Sequence, residues 1–363
     1  MATPVSPSGR VMWLRLAGIA IVGGLVVAVA LTFLALRPAH ARASKAARTT
    51  PVAVSCPTTR FCMVVDDEGN AITFDDGAWS RPRSIEDTGL TSVSCATPTF
   101  CVALGVNGTA SVYRGSTWSS ALSIDPKSAD EVDGFGTSSV NTVSCASTSF
   151  CMAGDVLGRV VRFNGATWTR PRPVEAAAPA RRDRRAGTAG IAGVSCVAPR
   201  FCAAVTVGGR ALTFDGTTWS SPVALEPAAV VNADRLRSVA PLGSVACSSP
   251  TSCAAVDASG NVYGFDGTTW SGPHAVDPVR LADSDGATAL SCPAPGDCVV
   301  VDEQGNAVFD TRGTWSGPVV VDPTVGLATV SCGGPALCVA LDDLGQAAVY
   351  DGHSWTAPKD IDS

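Results

Sequence analysis

One spacing recurs seven times in this chain: a cysteine, five residues, a second cysteine, a glycine seven positions on, and a tryptophan seventeen positions beyond that second cysteine. The cysteine pairs are Cys56/Cys62, Cys95/Cys101, Cys145/Cys151, Cys196/Cys202, Cys247/Cys253, Cys292/Cys298 and Cys332/Cys338, and together they use all 14 cysteines. The glycines are Gly69, Gly108, Gly158, Gly209, Gly260, Gly305 and Gly345; the tryptophans are Trp79, Trp118, Trp168, Trp219, Trp270, Trp315 and Trp355. A fixed period of this size means that one supersecondary unit has been copied, and that neighbouring copies must cover each other's apolar faces. Because the glycine keeps its offset in every copy, a backbone conformation recurs as well as a composition.

The fifth copy shows what the unit is. Ser244–Cys247 is a short β-prone run, Ser248–Ser252 with Pro250 marks a turn, and Cys253–Asp257 is a second apolar run. Asp257-Ala258-Ser259-Gly260-Asn261 is a tight hairpin, with Asp bonding amides ahead of it and Gly supplying positive φ. Val262–Phe265 predicts a third strand, Asp266–Thr269 a turn, and Trp270–Val276 a fourth strand. Four-stranded units of about 40 to 50 residues are propeller blades, and seven of them close a ring. The expected fold is all-β: a seven-bladed β-propeller of four-stranded antiparallel blades over residues 52–363.

The segment Phe214-Asp215-Gly216-Thr217-Thr218-Trp219-Ser220 resembles the turn between the third and fourth strands of kelch repeats and the Asp-box of sialidase-type propellers. It lacks the Gly-Gly doublet of kelch and the Trp-Asp of WD40 repeats. The repeat as a whole resembles the cysteine-stapled propeller repeats of exported bacterial proteins, a likeness that covers residues 52–363 and implies an exported domain.

Two cysteines six apart across a five-residue turn can face each other at the ~5.5 Å Cα spacing of a disulfide. Zinc sites use C-x2-C pairs or added histidines, whereas this region has only His274 and His353. Seven structural disulfides are therefore expected, with no metal and no cofactor. One tryptophan per copy at a fixed place reads as a blade-packing residue. Asp66, Asp155, Asp257, Asp302 and Asp342, each four residues after a second cysteine, read as turn formers and not calcium ligands. No strand is left over to lock the ring by exchange, so closure is expected to rest on blade packing.

Ahead of the repeats lie a short segment (1–15), an uncharged apolar run (16–36) and a linker (37–51). The run is long enough to span a ~30 Å hydrocarbon core, which favours an uncleaved transmembrane signal anchor. Ala39-His40-Ala41 and Ala41-Arg42-Ala43 also fit small-x-small cleavage, which would release the domain as a secreted protein. More basic residues follow the run than precede it, a bias toward a cytoplasmic C-terminal side. The cysteines argue for an oxidising, extracytoplasmic compartment. Residues 51–363 carry 20 Lys or Arg and 32 Asp or Glu, a net charge of −12, so nucleic acid is an unfavourable partner.

Variation falls in one place. The distance from first cysteine to tryptophan is constant, while that from tryptophan to the next first cysteine runs 16, 27, 28, 28, 22 and 17. In a propeller this connection joins one blade to the next, so every insertion lies on one face, the natural binding surface. Residues 125–141 are acidic, with Asp130, Glu131 and Asp133; residues 175–190 carry Arg181, Arg182, Arg184 and Arg185; residues 231–239 carry Asp234, Arg235 and Arg237. These are the candidate partner contacts, for a protein or a glycan. The expected function is a non-catalytic, membrane-anchored, extracytoplasmic binding scaffold. The alternative is a carbohydrate-active enzyme, sialidase- or lyase-like, working at the propeller mouth. Its residues are hard to find: no GxSxG, HExxH or Cys/His set occurs, and the repeats hold only Tyr113, Tyr263 and Tyr350 as candidate nucleophilic tyrosines.

Overall fold

The computed structural model describes residues 49–125, 140–174, 190–226, 242–276 and 287–361. The 16–36 run lies outside them; among the described residues no helix is long and apolar enough to cross a membrane.

Seven antiparallel sheets follow one another along the chain. The first strands are Pro51–Thr58, Leu90–Thr97, Val140–Ser147, Ile191–Ala198, Leu242–Ser249, Ala287–Ala294 and Leu327–Gly334. Each lies against the first strands of both neighbouring blades, and Leu327–Gly334 lies against Pro51–Thr58, so these strands line the axis of a closed ring. Four of the second strands, Phe61–Asp66, Phe100–Gly105, Phe150–Asp155 and Leu337–Asp342, are buried at every residue, and the other three at all but their first. Covered on both faces by neighbouring sheets, they read as continuous apolar runs and not as alternation.

The apolar interior consists of seven clusters, each filled from two adjacent blades. In the closing cluster, Val54, Ile72 and Phe74 of blade 1 meet Leu337, Val339 and Leu341 of blade 7. Burying each such side chain contributes about 1.5–3 kcal/mol. The tryptophans pack half-buried against these clusters, and six lie on an aromatic ring of their own third strand, as in Phe74–Trp79 at 5.0 Å and Tyr350–Trp355 at 5.3 Å. Blade 6 has Asp310 at that place, bridged to Trp315 in register.

All seven cysteine pairs are bonded, with Cα–Cα distances of 3.9–4.1 Å. This is shorter than the ~5.5 Å expected from the spacing. The reason is register: Cys95 and Cys101, Cys145 and Cys151, Cys196 and Cys202, and Cys332 and Cys338 are direct cross-strand partners, and the closely spaced antiparallel pair sits near ~4.5 Å. Each bridge closes so small a loop that it contributes about 2 kcal/mol.

The bridges are also part of the core. The spacing places each one beside a turn, ordinarily a solvent-facing part of a hairpin. Yet Cys62, Cys101, Cys151 and Cys202 are 0% exposed and Cys338 is 1% exposed. They start the second strands, which lie between neighbouring sheets, and each belongs to one of the clusters that fill the seams between blades. These cysteines are therefore core residues as well as bridge partners, and they present no surface to a binding partner.

Closure does not rest on packing alone. The serine before each first cysteine accepts a hydrogen bond from the backbone N–H of the first cysteine of the next blade. Ser55, Ser94, Ser144 and Ser195 receive Cys95, Cys145, Cys196 and Cys247 at 2.8–2.9 Å, and Ser291 receives Cys332 at 3.0 Å. Ser331 receives Cys56 at 2.9 Å, 275 residues away, and this joins the last blade to the first. Blade 5 has Ala246 at this place, which offers no hydroxyl.

The unbroken fourth strand read from the fifth copy is a property of that copy. There it runs Trp270–Ala275; elsewhere it is reduced to two-residue pieces such as Ala78–Trp79 and Arg83–Ser84. The breaks coincide with a side-chain bond made by the residue after tryptophan. Ser80, Ser119, Thr169, Ser220, Ser316 and Thr356 accept a third-strand N–H on their hydroxyls at 2.9–3.1 Å, where a strand carbonyl would otherwise serve. Two residues later a proline stands in six copies, and proline on an edge blocks pairing with foreign strands.

Connectivity assigns the two faces of the ring. Turns between first and second strands, with their disulfides, share a face with turns between third and fourth strands. On that face Asn164, Asp215, Asp266 and Asp351 cap their turns by accepting N–H bonds from residues two and three ahead. The second hairpins and the blade connections share the other face. There the recurrent glycines have φ of 70–89°. A Cβ at Gly69 would strike the Glu86 carbonyl oxygen, because the exiting chain crosses directly over the hairpin.

Candidate partner-binding surfaces

The connection face is built on two sets of buried acids. The first is the expected hairpin set, all of it buried. Asp66 Oδ1 accepts the N–H groups of Glu68 at 3.1 Å and Asn70 at 2.7 Å, and its Oδ2 accepts Asn70 Nδ2 at 2.8 Å. Asp155, Asp257, Asp302 and Asp342 repeat the two backbone bonds, so each carboxylate is engaged by its own turn.

The second set escaped the sequence reading. Each blade ends on an aliphatic residue followed by an acid: Glu86, Asp125, Glu175, Glu226, Asp277, Asp322 and Asp362. The dipeptide was visible as a sevenfold recurrence, but nothing in it says where the acid goes. Glu86, Asp125, Glu226 and Asp322 are buried, and three of them show that the exit acid enters the seam with the following blade. At the first seam Glu86 accepts the hydroxyls of Thr109 and Ser111 from blade 2 at 3.0 Å. Gly105 stands there in place of the hairpin aspartate, and a Cβ on it would collide with Glu86. At the second seam Arg159 bridges Asp125, at 3.0 Å, and Asp155. Burial pushes the Asp155 carboxyl above its usual range against the pull of its hydrogen bonds to Arg159. At the sixth seam no cation among the described residues pairs with either acid. Asp342 Oδ2 is buried with no N–H or O–H donor, beside the Asp322 carboxyl. Burial, and then the Asp322 charge, hold Asp342 above the usual value of 3.8. For Asp322, burial is outweighed by the Thr324 and Val325 bonds, which hold it below.

The expected loop contacts, Asp130, Glu131, Asp133, Arg181, Arg182, Arg184, Arg185, Asp234, Arg235 and Arg237, lie outside the described residues. What the structure gives is the root of these connections. Val174 donates to the Gly158 carbonyl and Val207 to that of Gly190, both at second hairpins. The long connections therefore leave and rejoin the frame on the connection face. The three tyrosines are spread over three blades: Tyr113 donates to the Gly115 carbonyl, Tyr263 to Asp257 at 3.0 Å, and the Tyr350 ring packs tilted against Phe309 at 5.0 Å. Among the described residues, no group of three or more His, Cys, Asp or Glu could hold a metal ion.

The rim offers a further kind of surface. Grooves of about 660, 440 and 540 Å³ lie between blades 2 and 3, 3 and 4, and 5 and 6. Each is lined by the tryptophan of the later blade, Trp168, Trp219 or Trp315. These tryptophans thus pack on a core cluster with one part and border a groove with another.

Comparison with solved structures gives the architecture a counterpart. A structure of YCF48 bound to a D1 peptide matches with a TM-score of 0.59 at 16% identity, over 84% of this chain and 94% of that one. YCF48 from Cyanidioschyzon merolae matches with a TM-score of 0.57 at 14% identity, over 84% and 96%. The likeness is one of fold. No family model matches the chain, and no curated protein does.

Proposed function

We propose that this chain is a non-catalytic binding scaffold, held outside the cytoplasm by residues 16–36, whose connection face receives a protein or glycan partner. The observation that carries the reading is the division of labour in the repeat. Disulfides, serine bonds and hairpins are copied from blade to blade, whereas all length variation enters on one face. YCF48, similar in fold, has been solved with a peptide, which supports a protein partner as the first choice. Seven disulfides support an oxidising compartment, where such bridges persist. Cross-linking in intact cells, with the full chain and with a variant lacking residues 178–188, tests the proposal. Attached proteins or glycans should be recovered with the full chain and lost or reduced with the deletion. Recovery of the same set from both removes that loop from the binding surface.

A further inference from the structure

Blade 3 departs from the repeat at its rim. At the third-strand position of Arg162 the other copies carry Thr73, Val112, Thr213, Gly264, Phe309 and Val349. At that of Arg172 they carry Arg83, Leu122, Val223, His274, Val319 and Lys359; at that of Arg170, Arg81, Ser120, Ser221, Gly272, Gly317 and Ala357. Blade 3 alone is basic at all three. Copies of one unit share the demands of folding, so an exposed cluster that is peculiar to one copy and pairs with no acid in the fold marks a place for a partner. Arg162, Arg170 and Arg172 are exposed and have no acidic partner among the described residues. Residues 51–363 as a whole carry an excess of acid, which makes an uncompensated basic rim a local exception.

Arg162 and Arg172 line the 440 Å³ groove between blades 3 and 4. Its other wall holds Thr217, Thr218 and the half-buried Trp219, and Met152 and Phe214 line it too. The nearby acid in the blade 4 turn, Asp215, is engaged: its carboxylate accepts both N–H groups and both hydroxyls of Thr217 and Thr218. That leaves the groove with two guanidiniums, which bind carboxylates in fork geometry, beside an indole and apolar lining. We infer that this rim groove binds an extended acidic peptide segment of a partner, its carboxylates on Arg162 and Arg172 and an adjoining apolar or aromatic side chain against Trp219. The inference rests on the reading of the chain as a binding scaffold and adds a site distinct from the connection-face loops.

The test uses the full chain with its disulfides intact and a fluorescein-labelled peptide of six glutamates followed by tyrosine. Fluorescence anisotropy should show binding that weakens as salt is raised, and no binding of the six-lysine counterpart. The double variant Arg162→Thr, Arg172→Val takes both residues from blade 4 of the same chain and so respects the fold. It should lower affinity about tenfold, the scale of losing two charge-assisted contacts at a partly exposed site. Arg81→Ser with Lys359→Ser removes the same charge from blades 1 and 7 and should leave affinity unchanged. No binding by the parent chain, or equal losses in the two double variants, overturns the inference. Residues 178–188 are present in every variant here, so failure of the groove leaves the connection-face reading standing. Their deletion in turn should leave the groove's peptide affinity intact.

Discussion

The seam between blades 2 and 3 and the seam between blades 6 and 7 receive the same two acids and treat them differently. Each pairs an exit acid, Asp125 or Asp322, with a hairpin acid, Asp155 or Asp342, and all four are buried. Four residues after the hairpin acid stands Arg159 in one seam and Gln346 in the other. Arg159 bridges its pair and offsets one of the two charges; Gln346 donates only its backbone N–H to Asp342. A copied frame can thus hold its backbone bonds constant while the charge balance of each seam drifts.

The largest effect expected from this comparison is at Arg159. Arg159→Met should leave two buried carboxylates without their cation and cost about 3–5 kcal/mol, read as a fall in apparent unfolding free energy in guanidinium at pH 7. Next is the reverse change, Gln346→Arg, which gives the sixth seam the residue of the second and should stabilise by about 1–2 kcal/mol. The same seam carries a pH signature. The folded Asp342 carboxyl lies above its ordinary value, so its contribution is complete below about 3.8 and is lost as pH rises through the folded value. Relative to Asp342→Asn, the parent chain should lose stability as pH is raised from about 4 toward neutrality. Parallel pH profiles for the two would remove the carboxyl pair from the account. The smallest effect is at the seam between blades 5 and 6. There Ala246→Ser should supply the missing serine bond and add about 1 kcal/mol to the same unfolding free energy.

The sequence disclosed most of the frame, because a strict period reports directly on a copied unit. Cysteine spacing, hairpin glycine and hairpin aspartate are local signals, and their partners lie within a few residues. The spacing paired Cys62, Cys101, Cys202 and Cys338 correctly, but their depth comes from the neighbouring sheet, which no local pattern reports. The serine before each first cysteine recurred just as plainly in six copies, yet its partner is 40 to 52 residues away along the chain, or 275 at the closing seam. The four-stranded blade is legible in every copy, but the break in the fourth strand is not: in the fifth copy the Ser271 hydroxyl bonds the Gly264 carbonyl at 3.3 Å and the strand stays intact, a choice of partner that the same residue type elsewhere does not make. The exit acids and the rim arginines were legible as residues but not as places. Which seam or groove a side chain enters depends on how two sheets pack, and only the folded ring supplies that.

The central claim is that the seam joining blade 7 to blade 1 is equivalent to the seams within the chain. Hydrogen exchange of two backbone amides tests this directly: Cys56, bonded to Ser331, and Cys145, bonded to Ser94 by the same geometry at the same 2.9 Å. Equivalent seams predict comparable protection for both. Exchange at Cys56 that is faster by orders of magnitude, with Cys145 still protected, would mean an open ring and would contradict the account.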